Sequence, residues 1–388
     1  MQTQESTVTF SALKGVDAAK LEKELTAMWG ASSGESADDP AVGVTRACVL
    51  NLIVYAEGQE ERAEVDALLE VVVQRHPCRA LLVVADRGAE EAKLEAFIST
   101  RCQLTSRGAK KICGEQITIE AAGSAVVDSA ATAVAPLLVP DVPIFLWWKD
   151  IPHYEDKLFD RLSELADRVV IDSASFDNPH FDLTRLAQIL GERSESGSIS
   201  DLNWGRLTSW RSLVASFWDV SDYRASLSKI ESVRVEYDPP DRAPGEIAPK
   251  ALLAVGWLAT CLGWEIEGAD AAAGEEEQRR FTLRAGERSL EVVLQPTEDV
   301  AGRDGMITSL TIRAEGGDEF HVALRPEENK LETGAKVGGG QHEVSRVLGY
   351  EARSEGQRLS SELEILTRDV LYEKAVAFAA RLLGTIKE

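Results

Sequence analysis

The chain has 388 residues, more than one hydrophobic core usually serves, which predicts about two domains. Its apolar fraction of 44% is typical of a folded protein and excludes an intrinsically disordered one. A formal charge of −23 argues against a nucleic-acid partner and against docking on anionic lipid, because both need a basic face.

The first residues and the cysteines bear on where the protein works. The start, MQTQESTVTF, lacks the positive and apolar regions of a signal peptide, and the apolar runs are too short or interrupted to span a bilayer. Five cysteines at irregular spacing indicate a reducing compartment rather than a disulfide framework. We therefore expect a cytoplasmic protein with no membrane partner.

Strand-like and helix-like segments alternate through the first half of the chain. In order, they are a helix over 16–29, a strand over 49–56, a helix over 61–75, a strand over 78–86, a helix over 123–138, a strand over 143–148, a helix over 158–167 and a strand over 168–175. Continuous apolar strands are typical of burial on both faces, and the helices between them imply parallel crossovers. This half is predicted to be an α/β domain with a doubly wound, mostly parallel sheet.

One segment of the first half departs from this alternation. Residues 102–113, CQLTSRGAKKIC, predict an antiparallel hairpin with Arg107 and Gly108 at its tip. Counting outward from a two-residue turn places Cys102 opposite Cys113 in the wider, hydrogen-bonded type of pair, about 5.5 Å apart at Cα. Two free thiols and a strained, easily reduced redox pair both fit this placement.

The polar stretch GERSESGSIS over 191–200 predicts a linker, so we expect domains over 1–195 and 196–388. After it come a tryptophan-rich helix, DLNWGRLTSWRSLVASFWD, and an apolar helix, KALLAVGWLATCLGW. Short alternating strands between Glu265 and Glu327 then predict an antiparallel meander with one wet face, and a helix ends the chain. The second domain is predicted to be α+β with an antiparallel sheet.

Motifs for catalysis, nucleotides and metals are missing from the sequence. There is no GxGxxG after a predicted strand, no GxxxxGK[ST], no GxSxG elbow and no set of cysteines and histidines at zinc spacing. The basic turn RHPCR holds Arg75, His76 and Arg79; it could receive an anion or a partner carboxylate, although a solvated turn explains it as well. We expect no cofactor, no metal site and no catalytic residue.

Two clusters combine tryptophan with charged residues. The predicted strand PIFLWW ends in Trp147 and Trp148, and Lys149 follows. Neighbouring side chains on a strand point to opposite faces of the sheet, so both rings could be core, yet carboxyl ends of strands in open α/β sheets also gather binding sites. The second cluster, in NWGRLTSWR, is Trp204, Arg206, Trp210 and Arg211. Tryptophan and arginine are the types most enriched in interface hot spots.

The segment LLVPDVPIFLWWKDIP resembles the signature of the glucose-6-phosphate dehydrogenase assembly protein family, OpcA. VLNLIVYA, RHPCRALLVVAD, the tryptophan-rich helix and LLAVGWLATCLGW follow in the family's order, over roughly residues 45–265. The resemblance implies a non-catalytic protein that binds glucose-6-phosphate dehydrogenase in a hetero-oligomer. It implies that the protein promotes assembly of the active enzyme and raises its activity in the oxidative pentose phosphate pathway.

The residues expected to contact this partner combine both clusters with the acid of the Pro-Asp-x-Pro turn: Asp141, Trp147, Trp148, Lys149, Trp204, Arg206, Trp210 and Arg211. An activator of this kind binds the enzyme's active conformation better than the inactive one and so shifts the population. The alternative is a sugar-phosphate-binding protein or enzyme on the same scaffold, with RHPCR or VGGGQHE (337–343) as its anion site.

Overall fold

The computed structural model describes residues 7–10, 14–34, 44–104, 111–149, 151–153, 155–193, 197–269, 278–338, 346–349 and 353–386. Two compact units divide the chain. The first unit joins Met1–Ile171, Glu195–Ser200 and Ser354–Arg368. The second unit joins Asp172–Ser194, Asp201–Arg353 and Asp369–Glu388. Each unit is thus discontinuous in sequence, and the division into domains over 1–195 and 196–388 stays a prediction.

A ten-stranded sheet is the framework of the first unit. Its strands are β1 (Thr7–Phe10), β2 (Lys14–Gly15), β3 (Val44–Arg46), β4 (Leu50–Glu57), β5 (Cys78–Asp86), β6 (Lys93–Leu104), β7 (Lys111–Ala122), β8 (Ile144–Trp148), β9 (Arg168–Ile171) and β10 (Ser198–Asp201). The order is β1-β6-β7-β5-β4-β8-β9-β10, with β2 beside β6 and β3 beside β7. Strands β7, β5, β4, β8 and β9 run parallel, and β6 is antiparallel to β7. The mostly parallel sheet predicted for the first half is confirmed.

Both faces of this sheet are covered at its centre. Strand β5 is buried at every position except Asp86, and Leu52, Ile53 and Val54 of β4 have no exposed surface. Since successive side chains point to opposite faces, this continuous burial requires packing on both sides. The doubly wound arrangement follows from these uninterrupted apolar runs.

An eight-stranded sheet is the framework of the second unit. Its strands are β11 (Ile230–Tyr237), β12 (Glu265–Ala269), β13 (Arg279–Ala285), β14 (Arg288–Pro296), β15 (Ile307–Ala314), β16 (Asp318–Arg325), β17 (Lys330–Lys336) and β18 (Arg346–Gly349). The order is β12-β13-β14-β11-β15-β16-β17-β18, and only the β11–β14 pair is parallel among the pairs described. Burial alternates along β16, where Phe320, Val322 and Leu324 are buried and their neighbours are not. The predicted meander is confirmed.

The described helices are numbered in chain order across both units: α1 (Ala18–Gly34), α2 (Gly58–Arg75), α3 (Ser124–Ser129), α4 (Ala131–Val134), α5 (Lys157–Leu165), α6 (Pro179–Glu192), α7 (Leu202–Arg206), α8 (Thr208–Phe217), α9 (Arg224–Leu227), α10 (Pro249–Leu262), α11 (Glu355–Glu362) and α12 (Val370–Leu383). Helices α1 to α5 and α11 belong to the first unit, and the others belong to the second. Among these helices, none combines the length and the apolar character needed to cross a bilayer.

Four local predictions differ from the structure. The tryptophan-rich helix is two helices, α7 and α8, which are separated at Leu207. The helix predicted over 123–138 is two short helices divided at Ala130, followed by a 3-10 turn at Ala135–Leu137, where Pro136 has no N–H to continue an α-helix. The strand predicted over 168–175 ends at Ile171, and a 3-10 turn capped by the Asp172 carboxylate follows. The linker predicted over 191–200 instead contains the end of α6 and most of β10. There Ile199 is buried, and Ser200 accepts a hydrogen bond from Arg168.

Candidate functional site

The sheet of the first unit has a topological switch point between β4 and β8. The chain passes from β4 to β5 on one side and from β8 to β9 on the other. In open α/β sheets, ligands bind in the crevice outside the carboxyl ends of the two strands at such a point. Trp147 and Trp148 lie at the carboxyl end of β8. This edge is therefore the candidate site of the first unit.

Aromatic rings stack across the switch point. Tyr55 of β4 and Trp148 of β8 are partners in the strand register, and their ring centroids lie 3.8 Å apart with planes 5° from parallel. Phe159 of α5 packs edge-on against Trp148 at 5.2 Å, with the rings at 83°. Trp148 keeps only 3% of its surface exposed. Side chains of the chain itself therefore fill the space beside the paired ends of the two central strands.

Carboxylates surround the N-terminus of α2, which begins directly after β4. Glu57 is the N-cap residue, Gly58 follows with φ of +75°, and Glu60 and Glu61 stand in the first turn. Glu61 Oε2 accepts a hydrogen bond of 2.7 Å from the backbone N–H of Glu57. Dinucleotide-binding folds seat a pyrophosphate on the N–H groups of this helix end, which glycines leave accessible. Here the negative charge of the acids repels a phosphate, so this helix end disfavours a dinucleotide.

Lys149, immediately after Trp148, lies among acids. Its Nζ is 3.1 Å from Glu64 Oε2. Burial disfavours the charged ammonium, but the carboxylates of Glu355, Glu64 and Glu61 outweigh burial and raise the pKa of Lys149. The lysine is therefore a cation at neutral pH, held by internal counter-charges.

Arg87 and Tyr55 form the opposite part of the same edge. The guanidinium of Arg87 binds Asp128 at 2.7 Å and Asp156 at 3.0 Å. Burial, together with the nearby Glu57 carboxylate, raises the pKa of Tyr55 to about 12. The Tyr55 phenol thus stays protonated at neutral pH, where it cannot act as a base.

The other two predicted residues of this region differ sharply in exposure. Trp147 has no exposed surface, and among the described residues its Nε1 has no hydrogen-bond partner. Asp141 is exposed in the turn before β8 with φ of +61°, a conformation that aspartate tolerates better than most residues. Of the pair, only Asp141 is open to a partner; Trp147 is core.

The second predicted cluster lies in the second unit and is largely internal. Trp204 and Trp210 are buried, and Trp204 Nε1 donates a hydrogen bond of 2.8 Å to Asp369 Oδ2. The guanidinium of Arg211 lies 3.7 Å from the centroid of the Trp204 ring, a cation–π geometry. Trp204 of α7 therefore packs against a cation carried by α8 of the same unit.

Arg206 of the same cluster binds Asp172 beside the buried carboxyl of Asp201. The Arg206 guanidinium donates to both Asp172 oxygens at 2.5 and 2.7 Å. Asp201 accepts the backbone N–H groups of Ser173 and Asn203 at 2.9 and 2.8 Å and the Ser173 hydroxyl at 2.6 Å. Burial, with the Asp172 carboxylate second, raises the pKa of Asp201 to about 6. Asp201 therefore titrates near neutral pH, although its hydrogen bonds are those of a structural cap.

Arg79, predicted to lie in a solvated turn or an anion site, is buried. Its guanidinium binds Glu115 at 2.9 and 2.7 Å, the carbonyl of Leu137 at 2.8 Å, and the carboxylate of Glu22. A buried guanidinium is stable only when such partners replace water. Arg79 is therefore a structural residue that already holds two carboxylates.

The other two residues of the RHPCR turn contact the 354–368 segment of the same unit. Arg75 pairs with Glu364 at 2.7 Å. His76 donates from Nε2 to the carbonyl of Ser360 at 2.8 Å. A carboxylate that this turn could have received from a partner is thus supplied within the chain.

The two hairpin cysteines stand where the sequence predicted. Cys102 of β6 is the register partner of Cys113 of β7. The turn with Arg107 and Gly108 lies outside the described residues, as does most of VGGGQHE. The register is therefore confirmed, and a redox pair stays a prediction.

Sequence reasoning missed Tyr55 and the acids around the start of α2. The available signal was the run AEGQEE directly after a buried strand, where a dinucleotide-binding protein would carry glycines. The stacking of Tyr55 on Trp148 has no such local signal, because it depends on β4 and β8 being neighbours across 90 residues of chain.

Comparisons with known proteins cover both units. Residues 70–188 match the family model described as the glucose-6-phosphate dehydrogenase subunit N-terminal domain, and residues 197–376 match the C-terminal domain model of the same description. Two similar proteins, from Synechococcus elongatus and Nostoc punctiforme, carry the provisional description OxPP cycle protein OpcA. The first is 26% identical over 81% of this chain and 69% of its own length, and the second is 28% identical over 81% and 67%.

Among solved structures, a 3-ketoreductase from Actinomadura kijaniata, in complex with TDP-benzene and NADP, superposes with a TM-score of 0.47 and 12% identity. The superposition covers 88% of this chain and 97% of that one. A likeness at this level carries no argument about function.

Proposed function

Because the chain belongs to the OpcA family of glucose-6-phosphate dehydrogenase subunits, we propose that it is a non-catalytic assembly factor and activator of that dehydrogenase. The family places the chain among proteins of the oxidative pentose phosphate pathway. The proposed mode of action is protein–protein binding in a hetero-oligomer, in the cytoplasm, with no cofactor of its own.

The observation that carries the non-catalytic part of the proposal is the closed switch point. Trp148 and Tyr55 stack at the paired ends of β8 and β4, and Glu61 accepts a hydrogen bond from the backbone N–H of Glu57 at the start of α2. A cofactor with a pyrophosphate would have to displace stacked rings and approach a helix end that carries several negative charges. Both requirements cost free energy. This cost supports a scaffold whose switch point serves internal packing and binds no dinucleotide.

The burial of the tryptophans changes which groups the proposal assigns to the partner. Trp147, Trp148, Trp204 and Trp210 are core residues, so we assign them the role of fixing their neighbours rather than direct contact. Direct contact is assigned to the exposed Asp141 and to a charged rim, which consists of Lys149 with the nearby acids Glu61, Glu64 and Glu355. An acidic protein that binds through charge also accelerates encounter with a basic partner surface, so we expect association to weaken with salt.

Activation requires that the protein bind the active form of the dehydrogenase more tightly than the inactive form. A partner with equal affinity for both forms would shift nothing, however tightly it bound. The proposal therefore predicts that the oligomer stabilised by this protein is the more active one.

The decisive experiment uses the purified protein and the cognate glucose-6-phosphate dehydrogenase. The initial rate of NADP⁺ reduction is measured with glucose 6-phosphate at increasing concentrations of the protein, and light scattering on a sizing column reports the complex. We expect a saturable rise in rate that parallels formation of a co-eluting species. The matched control replaces the protein with an equal concentration of serum albumin.

Assays of the protein alone complete the test. Sugar phosphates with NAD⁺ or NADP⁺ should give no turnover, and titration with either nucleotide should leave the tryptophan fluorescence unchanged. Turnover by the protein alone, with no effect on the dehydrogenase, would overturn the proposal in favour of an enzyme.

A further inference from the structure

Three aspartates of the second unit converge outside both tryptophan clusters. Asp238 follows β11 directly, Asp241 comes after two prolines, and Asp299 lies in the loop between β14 and β15. One carboxylate oxygen from each lies within 4.8 Å of the other two. Sixty residues of chain separate Asp238 from Asp299, so the fold, and not local sequence, brings them together.

Backbone hydrogen bonds fix the loop that carries Asp299 against the end of β11. The N–H of Asp238 donates to the carbonyl of Met306 at 2.8 Å, and the N–H of Thr297 donates to the carbonyl of Tyr237 at 2.8 Å. The N–H of Val300 donates to Asp238 Oδ2 at 3.1 Å. These bonds hold both ends of the loop, so the three carboxylates meet on an ordered framework.

The second oxygen of the Asp238 carboxylate is buried and lacks a hydrogen-bond partner within the described residues. Asp238 has no exposed surface, and its Oδ1 is buried with no hydrogen-bond partner among the described residues. An unpartnered buried carboxylate oxygen is costly, and such atoms in folded proteins commonly mark the place of a water or an ion. The two neighbouring carboxylates increase the cost by repulsion and favour a cation over a water.

Two of the three carboxyls have raised pKa values, for causes that lie partly outside the cluster. Burial raises the pKa of Asp238, with a smaller contribution from Asp299 and a still smaller opposing one from Arg303. The carboxylate of Asp304 raises the pKa of Asp241. Asp304 itself accepts the N–H of Asp241 at 3.0 Å, so it orders the loop that presents Asp241.

We propose that Asp238, Asp241 and Asp299 bind one hard divalent cation, with Ca²⁺ as the best fit. Carboxylate oxygens are the ligands that Ca²⁺ and Mg²⁺ prefer, whereas zinc and copper sites recruit histidine or cysteine. Oxygens bound to Ca²⁺ at about 2.3–2.6 Å lie at most about 5 Å apart, a limit that all three pairs satisfy. The ion neutralises the buried carboxylate of Asp238 and ties the β14–β15 loop to the end of β11.

Thermal unfolding of the full chain tests this site. After treatment with a chelator and its removal, the protein is titrated with Ca²⁺ and separately with Mg²⁺, and the ion bound is quantified by calorimetry. We expect one ion per chain and a midpoint that rises with the logarithm of Ca²⁺ concentration. A smaller rise with Mg²⁺ is expected, because that ion demands closer, octahedral ligands.

The exposed Asp241 and Asp299 allow the site to be removed without disturbing the core. Asp241→Asn and Asp299→Asn should each weaken Ca²⁺ binding by at least about tenfold, because affinity follows the number of ligand charges. Asp222→Asn, the same change at an exposed position elsewhere in this unit, should bind Ca²⁺ like the wild type. Asp238→Asn should also weaken Ca²⁺ binding if this variant folds. If it does not fold, the two exposed variants are enough to test the site.

Two results would overturn the proposal. One is a wild-type midpoint and calorimetric trace that neither ion changes. The other is binding that both exposed variants retain at full strength, which would place the ion elsewhere.

Discussion

The two tryptophan clusters use the same residue types in opposite ways. In the first unit, Trp148 packs ring against ring, on Tyr55 and Phe159. In the second unit, Trp204 carries the guanidinium of Arg211 on its face and donates to Asp369. The first cluster closes a crevice with apolar surface, and the second builds a network of internal charges. Tryptophan and arginine are enriched in interfaces because they combine area with a polar handle, and the same property serves a core.

The difference teaches that composition does not decide between a docking surface and a core; the neighbours do. Trp148 is core because β4 places Tyr55 beside it. The Arg206 guanidinium is internal because Asp172 follows a strand that ends nearby. Variants that remove one side chain at a time therefore test whether each cluster is core or docking surface. The first variant removes a ring from the stack of the first cluster.

Replacing Trp148 by alanine should have the largest effect. The change removes the stack on Tyr55 and the edge contact with Phe159, and it leaves a cavity at the switch point. We expect the free energy of unfolding to fall by about 3–5 kcal/mol, as for other large aromatic-to-alanine changes in cores. Denaturant unfolding followed by circular dichroism measures it. The control Trp148→Phe keeps an aromatic ring and should lose much less. Unchanged stability together with lost dehydrogenase activation would show instead that the ring contacts the partner.

The buried carboxyl of Asp201 should make the second cluster sensitive to pH. Its pKa of about 6 in the folded state lies above the ordinary value of 3.8, so the folded protein holds a proton that the unfolded chain releases. This contribution is complete below about pH 4 and is lost as the pH rises through about 6, for a total of about 3 kcal/mol. Asp201→Asn cannot titrate, so its stability relative to the wild type should increase from pH 4 to pH 7. A difference between the two proteins that is constant with pH would contradict the assignment.

Removing Arg206 should have a smaller effect, because its side chain keeps some contact with water. Arg206→Ala leaves the mostly buried carboxylate of Asp172 without its two charge-assisted hydrogen bonds. We expect a loss of about 1.5–3 kcal/mol, the range for hydrogen bonds to charged groups. Arg206→Lys keeps the charge but not the paired donors and should recover only part of it. A double-mutant cycle with Asp172→Asn isolates the coupling, and a coupling near zero would mean that the pair is not formed.

The sequence predicted most of the fold because the decisive patterns are local. The apolar runs around Ile53 and Val83 predict strands that are buried on both faces. The alternation of apolar and polar residues around Phe320 predicts a sheet with one solvent-exposed face. Even the register of Cys102 against Cys113 follows from the length of one hairpin. The helix predicted over 123–138 is divided at Ala130, a break that the apolar pattern of this segment does not indicate.

The candidate sites were harder to predict because their parts are distant in sequence. Tyr55 meets Trp148 only because the chain crosses the sheet between them, and the polar 191–200 stretch gave no sign that Ile199 would enter that sheet. Asp238 and Asp299 follow different strands whose neighbourhood no local pattern encodes. The sequence showed which residue types were present. It did not show which of them the chain topology would bring together.

Replacing Lys149 should change stability least, and it separates the rim of the first cluster from its rings. The Nζ pairs with Glu64, whose side chain is 68% exposed, but the side chain of Lys149 is only 16% exposed, so Lys149→Gln, which removes the charge and keeps the stem, should cost about 1 kcal/mol. If the rim contacts the dehydrogenase, Lys149→Gln should also lower the association rate and alter its salt dependence, because it removes a charge near the encounter surface. Stopped-flow association at several salt concentrations measures both.

The matched control for Lys149→Gln is Lys374→Gln, the same loss of charge at an exposed position of α12. Equal association rates for the two variants and the wild type would remove Lys149 from the contact surface and leave Asp141 as the exposed candidate of this region. A slower rate for Lys149→Gln alone, with unfolding little changed, would show that the rings hold the surface in place while the charges at its rim contact the partner. Stability and recognition would then belong to adjacent residues of one strand end.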